Sequence, residues 1–220
     1  MCIFGGFAGG YALLTRMENF GAAQTSNMIE LVLCLLGRNW WELLIRLGAF
    51  LCYVSAILLT VIIQKKTHFN SHLYVLLIDA VAVLLLAFIP ADINPVLGLY
   101  PMFFMLATQW SIFHGAKGYT CSTIFSTNNL KQTVLAYTNY YLERKPEEKE
   151  KGKFFLSSLL CFHGGVAVSY FGCTYIGVTS ILISLLPLFA AFHLVHQEFQ
   201  LKAFLKNEVS ILSSKETLAS

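Results

Sequence analysis

Asp79 stands near the centre of the apolar run Leu73–Ile89, with no charged residue close to it in sequence. A carboxylate in the middle of a membrane helix costs roughly 2.5–3.5 kcal/mol on insertion scales unless it is paired, protonated or hydrated. That cost predicts proton or cation coupling at Asp79, against the plainer reading of a hydrogen bond between two helices. His163, midway along Phe154–Phe171 and beside Gly164-Gly165, is the candidate partner, against a packed neutral imidazole. A second set of candidates is polar but uncharged. Gln24-Thr25-Ser26-Asn27-Met28 is answered by Ser126-Thr127-Asn128-Asn129-Leu130, a Thr-x-Asn-apolar motif offset by 102 positions (127 − 25). Thr25, Asn27, Thr127, Asn128 and Asn129, with Gln109 nearby, offer donors and acceptors without fixed charge, which suits the lining of a polar-solute site. The competing role is helix capping.

Other chemistry is not written in the chain. No Gly-x-Ser-x-Gly, His-Glu-x-x-His, Walker or Rossmann pattern occurs. No catalytic residue is therefore assigned, and neither an enzyme nor a cofactor is expected. His68 and His72 are four apart, but two histidines are a weak metal signal, and no metal site is assigned. The six cysteines lack metal-like or framework spacing, which predicts free thiols acting as small hydrophobes. Met1–Leu14 has no basic leader and no small-residue cleavage site, so it does not read as a signal peptide.

The elements that must hold these residues are membrane helices. Of the 220 residues 56% are hydrophobic and 12% charged, where a soluble domain carries about 25% charged residues. Mean hydropathy is +0.64. The net charge of +3 leaves no nucleic-acid footprint, and the expected surroundings are a lipid bilayer. A spanning helix needs about 20 apolar residues. Trp41–Ile63, Leu73–Ile89, Pro95–Gly115, Phe154–Phe171 and Tyr175–Val195 meet this approximately, and the glycine-rich Cys2–Leu14 makes a sixth. Met28–Leu36 and Leu130–Tyr141 are too short or too polar to cross, and read as half-helices that return to the face they came from.

The predicted fold is thus an all-α integral membrane protein of six transmembrane helices plus two short re-entrant or interfacial helices. Residues 1–90 form a first membrane repeat, 91–196 a second, and 197–220 a cytoplasmic tail. With three spans per repeat the second must be inverted. Lys65, Lys66, Lys117 and the Arg144–Lys153 loop then share one side with the tail lysines, while Arg16 and Arg38 lie on the other. The positive-inside rule places both termini in the cytoplasm.

Gly5-Gly6-Phe7, Tyr11, Arg16, the Phe20–Asn27 run, Gln109-Trp110 and Thr127-Asn128-Asn129-Leu130 together resemble the YoaK family (DUF1275), small multi-pass membrane proteins of uncharacterised function. The resemblance runs from Gly5 to about Phe192. It implies a location in the bacterial cytoplasmic (inner) membrane. Two positions depart from the family pattern: Thr25-Ser26-Asn27 stands where Thr-Gly-Asn is usual, and Gly9 where an acid is common. The expected function is a transporter or channel-like facilitator of a small polar or anionic solute. The alternatives are a non-transporting membrane subunit or scaffold using a face such as Gly164-Gly165, and an intramembrane enzyme using Asp79 and His163 as an acid–base pair. A homo-oligomer is compatible with each.

Overall fold

The computed structural model describes residues 1–16, 24–67 and 69–201. The helices are α1 (Cys2–Thr15), α2 (Gln24–Leu36), α3 (Trp40–Lys66), α4 (Ser71–Phe88), α5 (Tyr100–Ile112), α6 (Thr127–Glu143), α7 (Pro146–Ile176) and α8 (185–201). Short 3-10 turns occupy Leu97–Leu99 and Gly177–Ser184, and β1 (Gly115–Ala116) pairs antiparallel with β2 (Tyr119–Thr120).

Local sequence explains most helix ends. The Asn39 side chain accepts from Glu42 N, and α3 closes on Lys65-Lys66, a charge order that suits the helix dipole. Asn70 Oδ1 accepts from the His72 and Leu73 amides to start α4. Pro146 opens α7 with Glu147 and Glu148 in its first turn, and Gly177 at φ 75° closes it. Lys117 and Gly118, both with positive φ, make the tight turn between β1 and β2.

Three helical stretches, Trp40–Lys66, Ser71–Phe88 and Pro146–Leu201, are long and apolar enough to cross a membrane. The last contains α7, the 3-10 turn and α8, and the turn folds the chain back on itself. Gly172 packs on Ser180 and Ile183, and the Cys173 and Ser180 side chains meet at 3.3 Å. Large apolar residues face outward as well as into the core. Leu36, Phe88, Leu186 and Phe189 are largely exposed, whereas Asp79, Thr108, Gln109, Asn129, Ser169, Ser180 and Ser184 are wholly buried. An apolar exterior around hydrogen-bonding residues suits a hydrocarbon surround.

α1 and α7 run parallel and touch backbone to backbone. A Cβ on Gly6 would overlap the Phe162 carbonyl, and one on Gly165 would overlap the Ile3 carbonyl. Gly5 faces the non-helical stretch 121–126, where a Cβ would overlap the Thr123 carbonyl oxygen. The Gly5-Gly6 pair is therefore where three segments cross, and only small residues permit that approach.

The helix ends gather into two groups. At one end Met1, Phe113, Gly115 and Phe154 line a common cavity, and the His72 and Phe113 rings meet at 5.1 Å. This end collects the starts of α1, α4 and α7, the end of α5 and the β-hairpin. Lys117, Glu150 and Lys153 share one surface depression there. At the other end Arg16 Nη1 and Nη2 donate to the Pro90 and Ile89 carbonyls at 2.7 and 3.1 Å. Asn94 Nδ2 donates to Glu42 at 3.4 Å, and the Tyr100 hydroxyl donates to Ile45 O at 2.6 Å.

Several element boundaries differ from the sequence reading. The fifth segment is helical only over Tyr100–Ile112, because the hairpin and the turn before Leu97 take its ends. Tyr175–Val195 is not one helix, since Gly177 and the 3-10 turn interrupt it. α2 and α6 are longer than expected and take the Thr-x-Asn motifs into their first turns.

Candidate functional site: a buried polar core around Asp79 and Gln109

Asp79 lies on the inward face of α4 with Val75, Leu76, Ala82, Val83 and Leu86. It is fully buried, and neither carboxyl oxygen has a hydrogen-bond partner among the described residues. The neighbouring α5 runs antiparallel to α4. His72 meets Phe113 at one end, and Leu85 shares a groove with Tyr100 at the other. Between these fixed points Asp79 falls level with Leu106, about one helical turn from Gln109.

Gln109 is also fully buried. Its Nε2 donates to Thr123 Oγ1 at 2.9 Å and lies 3.5 Å from Met1 O, while Oε1 has no partner. Two unsatisfied buried acceptors on neighbouring helices are costly. A ligand or a proton that donates to them would relieve that cost.

Thr123 belongs to the stretch 121–126 that leads into α6. Its residues Cys121, Ser122, Thr123 and Ile124 are buried although the backbone is not helical, so the backbone groups need partners. Asn129 supplies them: Oδ1 accepts from Ser122 N at 3.1 Å and Nδ2 donates to Ser122 O at 2.7 Å. The Ser122 hydroxyl in turn accepts from Phe125 N at 3.1 Å.

α6 begins without a side-chain cap, leaving free amides in its first turn. They open beside a cavity of about 230 Å³ lined by Gly9, Gly10, Leu13, Phe125, Thr127 and Phe162. α6 then returns along α7, the Tyr137 ring covering Gly152. Beyond it the corner is charged and exposed. Glu150 is held below the usual carboxylate range by its hydrogen bond to Lys153.

The first Thr-x-Asn motif behaves comparably. Asn27 is buried and donates to Arg46 O at 3.2 Å, with Oδ1 unpartnered. This ties the start of α2 to the second turn of α3, so α2 lies along the beginning of α3 and does not reach its far end. Arg46 pairs with Glu42 at 3.1 Å.

Not all candidates converge. Thr25, Thr127 and Asn128 are exposed at the starts of their helices. Asn129 is engaged with the backbone. His163 is on the exposed face of α7, its Nδ1 2.9 Å from Leu159 O. No hydrogen bond joins it to Asp79, so the acid–base pair is not formed. Gly164 faces open space while Gly165 is spent on α1, so the two glycines do not make a joint outer face. All six cysteines are free thiols. His68 lies outside the described residues.

The sequence assigns no site role to Arg16, Ser122 or Thr123. Arg16, 1% exposed, has carbonyl partners more than seventy positions away. The signal available for Ser122 and Thr123 was the Cys-Ser-Thr run between a helix and a Thr-x-Asn motif.

These features define an all-helical protein with membrane-like apolar helices and a buried polar core. The chain belongs to the family described as "Protein of unknown function (DUF1275)", whose model matches residues 1–194. No curated protein and no solved structure matches it.

Proposed function

We propose that this protein is a multi-pass membrane facilitator of a small polar or anionic solute. It is built as an inverted repeat of six spans and two short helices that return to the face they start from. The observation that carries the reading is the Asp79 carboxyl, fully buried with both oxygens unpartnered, on the helix packed against α5, where the buried Gln109 oxygen is also unpartnered. An acid held so expensively inside apolar helices is a functional group by default.

The packing supports the repeat. α1 packs on α7 as α5 packs on α3, and α2 packs on α3 as α6 packs on α7. α4 packs on α5, and the 3-10 turn before α8 packs on α1. Exchanging α1–α4 with α5–α8 maps these pairs onto one another, in step with the offset of 102 between the motifs. A non-helical stretch buried at depth, followed by an uncapped helix start beside a small cavity, is how broken-helix transporters present amides to a polar or anionic substrate. The lysine-rich end faces the cytoplasm by the positive-inside rule.

Osmotic swelling of vesicles carrying the full chain tests this, with urea, glycerol, formate and nitrate as probes. The reading expects at least one probe to enter faster than in protein-free vesicles, with the gain lost in Asp79→Asn and Gln109→Leu. Identical swelling with and without protein for all four, or a gain unaffected by both variants, would remove the assignment.

A further inference from the structure

We infer that the Asp79–Gln109 pair is a proton-binding site, in which Asp79 takes up a proton from water and donates it to Gln109 Oε1. The inference deepens the transport reading and rests on it for its use, though proton binding can be measured without any solute.

The geometry favours a proton over a metal cation. Hard cations require several oxygen ligands around one point. Asp79 Oδ1 and Oδ2 accept no hydrogen bond from the described residues, and the other residues of its face are aliphatic. The Thr108 and Ser184 hydroxyls donate to Met105 O at 2.7 Å and Ile181 O at 2.6 Å, so neither donates to Asp79. Among the described residues no group of three His, Cys, Asp or Glu side chains could hold a metal ion.

No permanent counter-charge occupies the site either. On the elements packed against α4, the inward titratable groups are the phenols Tyr53 on α3 and Tyr100 at the far start of α5, with the Cys52 thiol beside Tyr100. The Met1 amino group is within electrostatic reach but not within ion-pair distance. What remains is a carboxyl and a carbonyl, both lacking a donor. One proton satisfies both, giving a neutral acid that donates to the amide oxygen.

The consequence reaches the buried loop. Gln109 Nε2 already holds Thr123 Oγ1, so a proton on Asp79 completes a chain from α4 through α5 to the stretch 121–126. Loss of the proton breaks that chain and sets a charge in the core. Protonation at Asp79 thereby controls how firmly the segment ahead of α6 is held.

Infrared difference spectra of the full chain in vesicles, taken between acid and alkaline pH, test this directly. The expected result is a protonated-carboxyl band that is lost in Asp79→Asn and shifts to higher frequency in Gln109→Leu, where the acceptor is gone. Its titration midpoint should not move as sodium is raised against choline. A band unaffected by Asp79→Asn, a band of unchanged frequency in Gln109→Leu, or a midpoint that falls with sodium would overturn the proposal. A second readout guards against spectral overlap: alkylation of Cys121 as the sole remaining cysteine. The ratio of its rate to that in the Asp79→Asn background should step with pH, and a flat ratio contradicts the coupling. Neither readout depends on flux, so a protein that binds the proton but moves no probe would lose the transport reading and keep this site.

Discussion

Asn129 grips Ser122 by both sides of its peptide, accepting from the amide at 3.1 Å and donating to the carbonyl at 2.7 Å across seven residues. This doubled bond replaces the helical hydrogen bonds that the buried stretch 121–126 gives up. Asn129→Ala leaves a donor and an acceptor unsatisfied, at about 1–3 kcal/mol each when buried. We expect a loss of about 2–4 kcal/mol in detergent unfolding. Asn128→Ala, at an exposed position, should stay within about 0.5 kcal/mol of the parent. Equal losses at the two positions would refute the brace.

Gly6 and Gly164 both lie in glycine pairs but have opposite surroundings. Gly6→Ala drives a methyl into the Phe162 backbone and should cost about 1–3 kcal/mol as overpacking. Gly164 faces nothing within 4 Å, so Gly164→Ala should be neutral or add up to about 1 kcal/mol through helix propensity. Unfolding midpoints of the two variants measured side by side decide the matter.

Arg16 acts as a cap for a helix far from it in sequence. Its two terminal nitrogens take separate carbonyls at the end of α4, which complements the negative end of the helix dipole. Arg16→Leu is expected to lower stability by about 1–3 kcal/mol. Arg16→Lys should recover only part of this, because one ammonium cannot reproduce the planar fork. Full recovery by lysine would show that charge alone is needed.

His163 and Asp79 should separate cleanly in function. The imidazole lies on the exposed face of α7 and, among the described residues, bonds only its own helix, so His163→Ala should leave vesicle swelling and unfolding unchanged. Asp79→Asn should abolish the swelling gain without unfolding the protein, since it puts an uncharged group of the same shape in an apolar site. A swelling defect in His163→Ala would return the histidine to the mechanism.

How much of this was legible beforehand depended on distance along the chain. Asp79 was legible because a lone acid in an apolar run is anomalous within a single window. The paired asparagines were legible as a repeat, but their roles were not. Asn129 works by the path of a loop that composition does not disclose, and Asn27 by an α3 carbonyl nineteen residues on. Gly5-Gly6 was visible only as a motif of the family resemblance. What approaches, the Phe162 and Thr123 backbones, is a matter of tertiary packing. The 3-10 turn was missed because Gly177–Ser184 is as apolar as a helix, and periodicity does not separate the two over eight residues. The capping role of Arg16 was not legible because its partners Ile89 and Pro90 lie more than seventy positions away, just past α4.

The account turns on α2 and α6 each returning to the face from which it starts. Single cysteines at Asn39, Asp92, Lys117 and Glu147, in a cysteine-free background, can be labelled with an impermeant maleimide on intact cells. The account predicts labelling at Asn39 and Asp92 from outside, and at Lys117 and Glu147 only after the membrane is opened. Labelling of Asn39 and Lys117 from the same side would contradict it, dissolving the inverted repeat and the setting in which Asp79 and Gln109 acquire their meaning.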